Sequence, residues 1–250
     1  MIPKLLTLVL GLTAAVFAQA HNPQNSAECQ FGGGAALDHD AKLIADAPTC
    51  SAADEKLHDC QWGSSADTQL APIVIQKCEK IFLNRLSAKG KANYQHELHL
   101  CAYEYAQQEG TLYISERVVC EADVAEDFAT RPERANLPIL RASFDCARAR
   151  TPSEKAICSD RALGDADIVL NRVYRSLVAS STSAQRPALI RQQKGWLQQA
   201  IEKCNANSDP LPASSRDCLR KAFEDRFTDL DGCSVGGVSE CLQEPATNDP

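Results

Sequence analysis

The chain has 250 residues, of which 44% are hydrophobic, enough apolar material for one or two domains with hydrophobic cores. Its net charge of −7 and the absence of a basic cluster exclude nucleic acid as a partner. Twelve cysteines, an even number, predict disulfide bonds formed in an oxidising compartment.

Residues 1–20 have the form of an export signal. Lys4 precedes an apolar run that ends at Ala18-Gln19-Ala20, a pattern that signal peptidase cleaves. The run is short for a membrane span, and no second run of about 18 apolar residues follows. The first cysteine is Cys29, so no lipobox cysteine lies at the cleavage site. We therefore expect a periplasmic or secreted protein without membrane insertion.

The first half of the mature chain gives a partial helical pattern. Residues 21–49 contain three consecutive glycines and predict an irregular lead-in. Apolar side chains at helical spacing predict helices over about 67–87 and 91–108, separated by the sequence AKGKA. Antiparallel packing of these helices predicts a Cys78–Cys101 disulfide, while the partners of Cys29, Cys50, Cys60 and Cys120 stay open.

Residues 139–232 predict four helices. Thr151-Pro152-Ser153-Glu154 is a capping box with proline at the first helical position, so a helix begins there and carries Cys158. Asp160 can cap the second helix, a third covers about 189–204, and a second capping box at 214–217 begins the fourth.

Three further disulfides follow from the positions of cysteines around these helices. Cys146 and Cys158 lie on a loop and the helix after it, and Cys204 and Cys218 lie at the two ends of a helix–helix connection. Cys233–Cys241 is the third predicted pair. Because no CxxC pair occurs and oxidised cysteines do not ligate zinc, the sequence predicts no metal site.

Two charged residues interrupt the apolar stripes of the predicted helices. Asp167 lies on the stripe of the second helix, and Arg226 lies on that of the fourth. Because unpaired buried charges are costly, we predict a partly buried ion pair between them, joined by Gln193. A direct functional role for the two residues is the alternative.

The sequence contains no motif that predicts catalysis. It lacks a G-x-S-x-G sequence, a phosphate-binding glycine loop and a CxxC redox motif. His96-Glu97-Leu98-His99 has its histidines three residues apart, whereas the zinc-protease motif needs them four apart. We therefore predict that the protein is not an enzyme and has no catalytic residues, cofactor or metal.

Residues 143–231 resemble the LprI-type lysozyme inhibitor domain. Its pattern is a cysteine, an E-x-x-I-C helix, an L-D-x-x-L-x-x-x-Y helix, a Q-x-x-W-L helix ending in cysteine, and C-L-x-x-x-(aromatic)-x-x-R. The matching residues are Cys146, Glu154, Ile157, Cys158, Leu163, Asp167, Leu170, Tyr174, Gln193, Trp196, Leu197, Cys204, Cys218, Leu219, Phe223 and Arg226. The chain departs from the pattern at Ala200, where the family usually has arginine, and at Cys204, which comes one residue late.

The resemblance implies a protein that binds and inhibits a lysozyme-like muramidase. We interpret the matching residues as scaffold rather than as binding surface. The proposed inhibitory element is instead the connection Asn205–Ser215, which is polar, contains prolines and is closed by a predicted disulfide. Its candidate contact residues are Asn205, Asn207, Ser208, Asp209 and Ser214.

Other interpretations of function and charge stay open. The target could be a peptidoglycan-hydrolysing toxin, which would make the protein an immunity factor, or the chain could be a non-enzymatic module for binding or assembly in the envelope. Residues 21–138 hold 10 basic and 18 acidic side chains, and residues 139–232 hold 15 and 12. An acidic first half would attract a basic lysozyme, or it would simply keep the protein in solution.

The resulting prediction is an all-α, disulfide-bonded protein with two helical parts. A signal peptide at 1–20 precedes an acidic, cysteine-rich region at 21–128, for which a divergent repeat of the second half is one interpretation. A short polar linker at 129–138 leads to the LprI-type domain at 139–232 and a C-terminal tail at 233–250.

Overall fold

The computed structural model describes residues 28–106 and 108–242, and within these ranges the chain forms helices and loops without any strand. The predicted signal sequence lies outside these ranges. The α-helices are α1 (Gly34–Asp46), α2 (Cys50–Asp59), α3 (Asp67–Phe82), α4 (Ala88–Glu104), α5 (Thr111–Thr130), α6 (Pro152–Ser159), α7 (Arg161–Ser180), α8 (Arg186–Lys203), α9 (Ala213–Gly236) and α10 (Val238–Cys241). Short 3-10 helices cover Leu83–Arg85, Pro132–Asn136 and Cys146–Arg148. The predicted all-α, disulfide-bonded fold is confirmed.

Buried apolar side chains form two clusters that follow the order of the chain. The first lies among α1–α5 and contains fully buried Leu57 and Tyr94. The second lies mainly among α6–α10 and contains Leu163 and Phe223. The fold thus has the two helical parts that the sequence predicts. None of the helices in the described ranges combines the length and apolarity needed to cross a bilayer.

The first part is organised around α5, a helix that the sequence analysis did not predict. Helix α3 packs mainly along α5, and α4 also packs against α5. The predicted pairing of α3 with α4 as a simple hairpin is therefore wrong. Helix α4 also begins earlier than predicted, because Ser87 accepts a hydrogen bond from the backbone N–H of Gly90 at 3.1 Å. The predicted irregular lead-in is corrected as well, since it contains α1.

The arrangement around α5 explains why the predicted Cys78–Cys101 disulfide is wrong. Cys101 on α4 faces α5 and bonds Cys120, while Cys78 on α3 faces α2 and bonds Cys50. The remaining bridge of this part joins Cys29 to Cys60.

The disulfides of the second part follow the sequence analysis more closely. Cys146 bonds Cys158, and Cys204 bonds Cys218, as predicted. Cys233 is also disulfide-bonded. The side chain of Cys241 lies outside the described residues, so the Cys233–Cys241 pair stays a prediction.

Polar contacts between α4 and α7 join the two parts. His96 accepts a hydrogen bond at Nδ1 from Arg161 (2.8 Å), and its Nε2 contacts the carbonyl oxygen of Leu140 (3.0 Å). His99 lies 3.1 Å from the buried carboxylate of Asp165. The two histidines of the H-E-L-H sequence therefore belong to the contact between the parts.

The connection at 129–138 is also packed against the first part. It begins in the last turn of α5, and its 3-10 helix contacts α4 and α5. Asn93 donates a hydrogen bond to the carbonyl oxygen of Arg134 at 2.7 Å. We propose that the boundary between the parts lies where this connection meets the second core.

Gly164 supplies a test of the packing around α7. A Cβ at this position would lie 2.1 Å from the carbonyl oxygen of Arg141, which is backbone and cannot turn away. Gly164→Ala should therefore lower the free energy of unfolding by about 2–3 kcal/mol, a typical cost of overpacking. The measurement is the urea midpoint of the oxidised protein.

Gly195→Ala is the matched control, because α8 leaves nothing within 4 Å of the new Cβ. Alanine is the better helix former, so this variant should be unchanged or more stable by up to about 1 kcal/mol. Equal midpoints for Gly164→Ala and the parent protein would contradict the close approach of Arg141.

Candidate binding pocket in the second part

Helix α8 is held at its ends and only loosely along its length. Leu189 and Ala200 are its only buried residues, and Cys204 at its end is bonded to Cys218 of α9. Between these anchors Trp196 contacts Phe223, with ring centroids 5.7 Å apart. The space left between α8 and the α7–α9 pair is a pocket of about 420 Å³, a volume typical of ligand sites.

Residues from every helix of the family pattern line this pocket. The lining residues are Ser143, Phe144, Thr151, Ser153, Glu154, Ile157, Asp167, Leu170, Asn171, Tyr174, Gln193, Trp196, Leu197, Ile201, Asn207, Leu219 and Phe223. Ten of them are among the sixteen residues that carry the resemblance described above. Our interpretation of the matching residues as scaffold was therefore incomplete, because most of them also surround a cavity.

The predicted ion pair between Asp167 and Arg226 is wrong. Asp167 accepts a hydrogen bond from the backbone N–H of Ser143 at 2.6 Å and forms no ion pair with any described residue. Arg226 donates to the side-chain oxygens of Gln193 and Gln192, each at 3.1 Å. Gln193 thus contacts the arginine but does not join it to the acid.

The position of Trp196 explains why the two charges do not meet. Asp167 lines the pocket, whereas Arg226 lines a neighbouring cleft between α8 and α9. Trp196 lines both cavities, and the guanidinium of Arg226 lies 5.6 Å from the centroid of its ring. The indole therefore separates the acid from the arginine and forms a cation–π contact with the latter.

The two carboxylates of the pocket have different environments. Burial raises the pKa of Asp167, and hydrogen bonds from the backbone and side chain of Ser143 offset this only in part. Glu154 accepts hydrogen bonds from the backbone N–H groups of Thr151 and Arg150, which lower its pKa. Glu154 thus takes part in the predicted capping box, which is confirmed, whereas the described hydrogen bonds of Asp167 all come from Ser143.

The predicted inhibitory connection borders the pocket. Asn205, Asn207, Ser208, Asp209 and Ser214 are all exposed, and Asn207 also lines the cavity. The structure thus brings this connection beside the motif residues Glu154, Asp167, Tyr174, Gln193 and Trp196. Arg226 lies on the other side of Trp196.

Several contacts hold this connection in place. Ala206 and Leu211 are buried, and the carbonyl oxygen of Leu211 accepts a hydrogen bond from Arg216 at 2.9 Å. Lys155 of α6 forms an ion pair with Asp209 at 2.5 Å. Helix α9 starts one residue before the predicted capping box at 214–217, and its first turn receives no side-chain cap.

A separate polar cluster in the first part consists of Asp54, His58 and Asp123, whose potential ligand atoms lie within 4.8 Å of one another. The hydrogen bond to Asp123 raises the pKa of His58 to about 9, and burial raises the pKa of Asp54 to about 7. A protonated imidazole has no free lone pair for a metal. At neutral pH the raised pKa of His58 favours an ion pair with Asp123, 2.7 Å away.

The raised pKa of Asp167 predicts that its charge destabilises the folded protein. A carboxyl group whose pKa is higher in the folded state binds its proton more tightly there. The destabilisation caused by its charge is therefore absent below pH about 3.8, the ordinary pKa, and grows as the pH rises through the folded pKa. Asp167→Asn should therefore raise the free energy of unfolding at pH 7 by about 1 kcal/mol, as expected when an unpaired buried charge is neutralised.

The test compares urea unfolding of Asp167→Asn and the parent protein at pH 3 and pH 7. The gain should be present at pH 7 and lost at pH 3. Asp217→Asn, an exposed change on α9, should have no effect at either pH. A variant that is less stable than the parent at pH 7 would show that the carboxylate contributes favourable contacts.

Comparison with known proteins identifies the region that contains this pocket. Residues 146–230 match the family model described as "Lysozyme inhibitor LprI". Neither a curated protein nor a solved structure matches the chain. The matched region includes α6, α7, α8 and most of α9, together with both predicted disulfides that were confirmed. Residues 146–230 are therefore similar to the LprI lysozyme inhibitor family, as the sequence motifs predict.

Proposed function

We propose that this protein binds a lysozyme-like muramidase and inhibits it sterically. The observation that carries the proposal is the convergence of ten family-pattern residues on one pocket, beside an exposed connection that contains Asn207. We define the binding face as the mouth of this pocket together with residues 205–215. The family match supports a lysozyme as the class of target.

The connection at 205–215 suits an inhibitor because it is exposed and held in place. Its ends are linked by the Cys204–Cys218 disulfide, and buried Ala206 and Leu211 attach its middle to the domain. A segment that is ordered before binding loses less conformational entropy when it contacts an enzyme. Such a segment can cover or enter a substrate cleft without unfolding.

The expected compartment agrees with this function. The disulfides among the described residues require an oxidising environment, and residues 1–20 have the form of an export signal. We therefore propose that the protein is periplasmic or secreted, where it would meet muramidases that attack peptidoglycan. Inhibition by contact needs no catalytic residue and no cofactor.

The first test is inhibition of a c-type lysozyme by the purified, oxidised chain starting at residue 21. Lysis of cell walls should fall in proportion to added protein and stop near one inhibitor per enzyme. A sample with reduced and alkylated cysteines should be inactive, because the disulfides hold the binding face. An oxidised, folded sample that leaves lysis unchanged at a large excess over enzyme would contradict the proposal.

The second test addresses the connection. Replacing Asn207, Ser208 and Asp209 together by alanine should weaken inhibition about 10- to 100-fold, or about 1.4–2.8 kcal/mol of binding energy. The measurement is the inhibition constant, with folding checked by circular dichroism.

Lys155→Ala is the matched control. It removes the same ion pair with Asp209 but leaves the exposed side chains of the connection intact. The inhibition constant of this variant should stay within about threefold of the parent value, because exposed ion pairs contribute little to stability. If the triple variant inhibits as well as the parent, the connection does not contact the enzyme.

A further inference from the structure

Asp167 presents a carboxylate to the pocket, and no cation among the described residues pairs with it. Among the described residues its partner is Ser143, which donates from its backbone N–H and its side chain, and Trp196 lies between Asp167 and Arg226. Charged groups that are partly withdrawn from water are usually paired with an opposite charge, because hydrogen bonds from neutral groups offset only part of the desolvation cost. A cation bound in the pocket would therefore stabilise the carboxylate of Asp167.

The remaining lining residues restrict the classes of ligand that could pair with Asp167. No Lys, Arg or His of the described part of the chain lines the pocket, so an anionic group would find no counter-ion among these residues. Of the two lining carboxylates, Glu154 takes part in the capping box at the start of α6, whereas Asp167 is the one whose charge burial opposes, so a ligand cation would stabilise Asp167 more. One carboxylate is too few for a stable site for a hard cation such as Ca²⁺, which takes six to eight oxygen ligands.

The walls of the pocket favour an organic cation with an apolar or planar body. Phe144, Tyr174, Trp196 and Phe223 contribute aromatic surface. Aromatic faces attract guanidinium and ammonium groups, and guanidinium also stacks on them. Neutral amides from Asn171, Gln193 and Asn207 supply carbonyl oxygens that accept hydrogen bonds from such groups.

We propose that this pocket receives an arginine or lysine side chain of the bound muramidase, with Asp167 as its counter-ion. This inference rests on the proposed function and extends it by naming the chemistry that the pocket recognises. The exposed connection at 205–215 borders the pocket at Asn207, so an enzyme that contacts the connection lies close enough to insert a side chain. The pocket of about 420 Å³ has room for a long basic side chain.

The pocket is tested first with small probes and the full oxidised chain. N-acetyl-arginine amide carries the guanidinium, and N-acetyl-citrulline amide is a neutral compound of nearly the same shape. Binding is followed through the NMR signal of the Trp196 indole N–H, assigned with a Trp62→Phe variant. The arginine compound should bind at least about 10-fold more tightly than the citrulline compound.

Asp167→Asn should abolish this preference while preserving the fold, and Asp217→Asn should keep it. Asp217 is a suitable control because it is exposed on α9 and does not line the pocket. Equal affinity for the two probes, no binding of either, or an unchanged preference in Asp167→Asn would each overturn the inference.

The enzyme assay separates this inference from the proposed function. Asp167→Asn should raise the inhibition constant for lysozyme about 10-fold, whereas the inhibition constant of Asp217→Asn should stay within about threefold of the parent value. If the parent protein inhibits and Asp167→Asn inhibits equally well, the pocket assignment is overturned and the proposed function stands. If the parent protein does not inhibit, the proposed function fails, and the probe comparison alone decides the specificity of the pocket.

Discussion

The Cys204–Cys218 disulfide controls the shape of the binding face, because it fixes α8 to α9 at one end while the middle of α8 stays apart. Leu189 is buried near the other end of the helix, and Trp196 contacts Phe223 between these two anchors. A helix that buried a continuous apolar stripe would close the gap. The covalent bond holds α8 in place without such a stripe, which leaves space for the pocket.

The same region contains two charged residues whose burial costs stability. Asp167 and Arg226 lie on opposite sides of Trp196, and burial opposes the charge of each by raising the pKa of the acid and lowering that of the arginine. Apolar residues at these positions would avoid this cost. Proteins tolerate such local costs mainly at functional sites, so the two charges support a binding role for this region independently of the family match.

The parts of the structure that the sequence predicts well depend on local interactions. Thr151 and Asp160 cap their helices through hydrogen bonds to residues three positions further along the chain. Both correctly predicted disulfides close short segments, with cysteines 12 and 14 residues apart. In these cases neighbouring residues determine the geometry, and no knowledge of the tertiary fold is needed.

The errors arise where the answer depends on which helices become neighbours. Helix α5 buries small residues such as Ala122 and Ala125, so its apolar pattern is weak although it is central to the first part. Without α5, the sequence pairs Cys101 with Cys78 across the predicted hairpin and leaves the partner of Cys120 open. The pairing of Asp167 with Arg226 failed for the same reason, because an apolar stripe does not reveal that the indole of Trp196 lies between the stripes of two helices.

Helix α7 determines how far the acidic first part can influence the binding face. Asp165 and Arg172 contact α4 of the first part, whereas Asp167 and Tyr174, each two positions later, line the pocket. Residues two positions apart on a helix point to nearly opposite sides, so the first part lies behind the wall of the pocket. A helix is about 10 Å across, which is close to the screening length at physiological salt. If the proposed target is a basic enzyme, the acidic part can speed its approach in dilute salt. At physiological salt the proposed attraction has to come from groups on the binding face itself, such as Asp167.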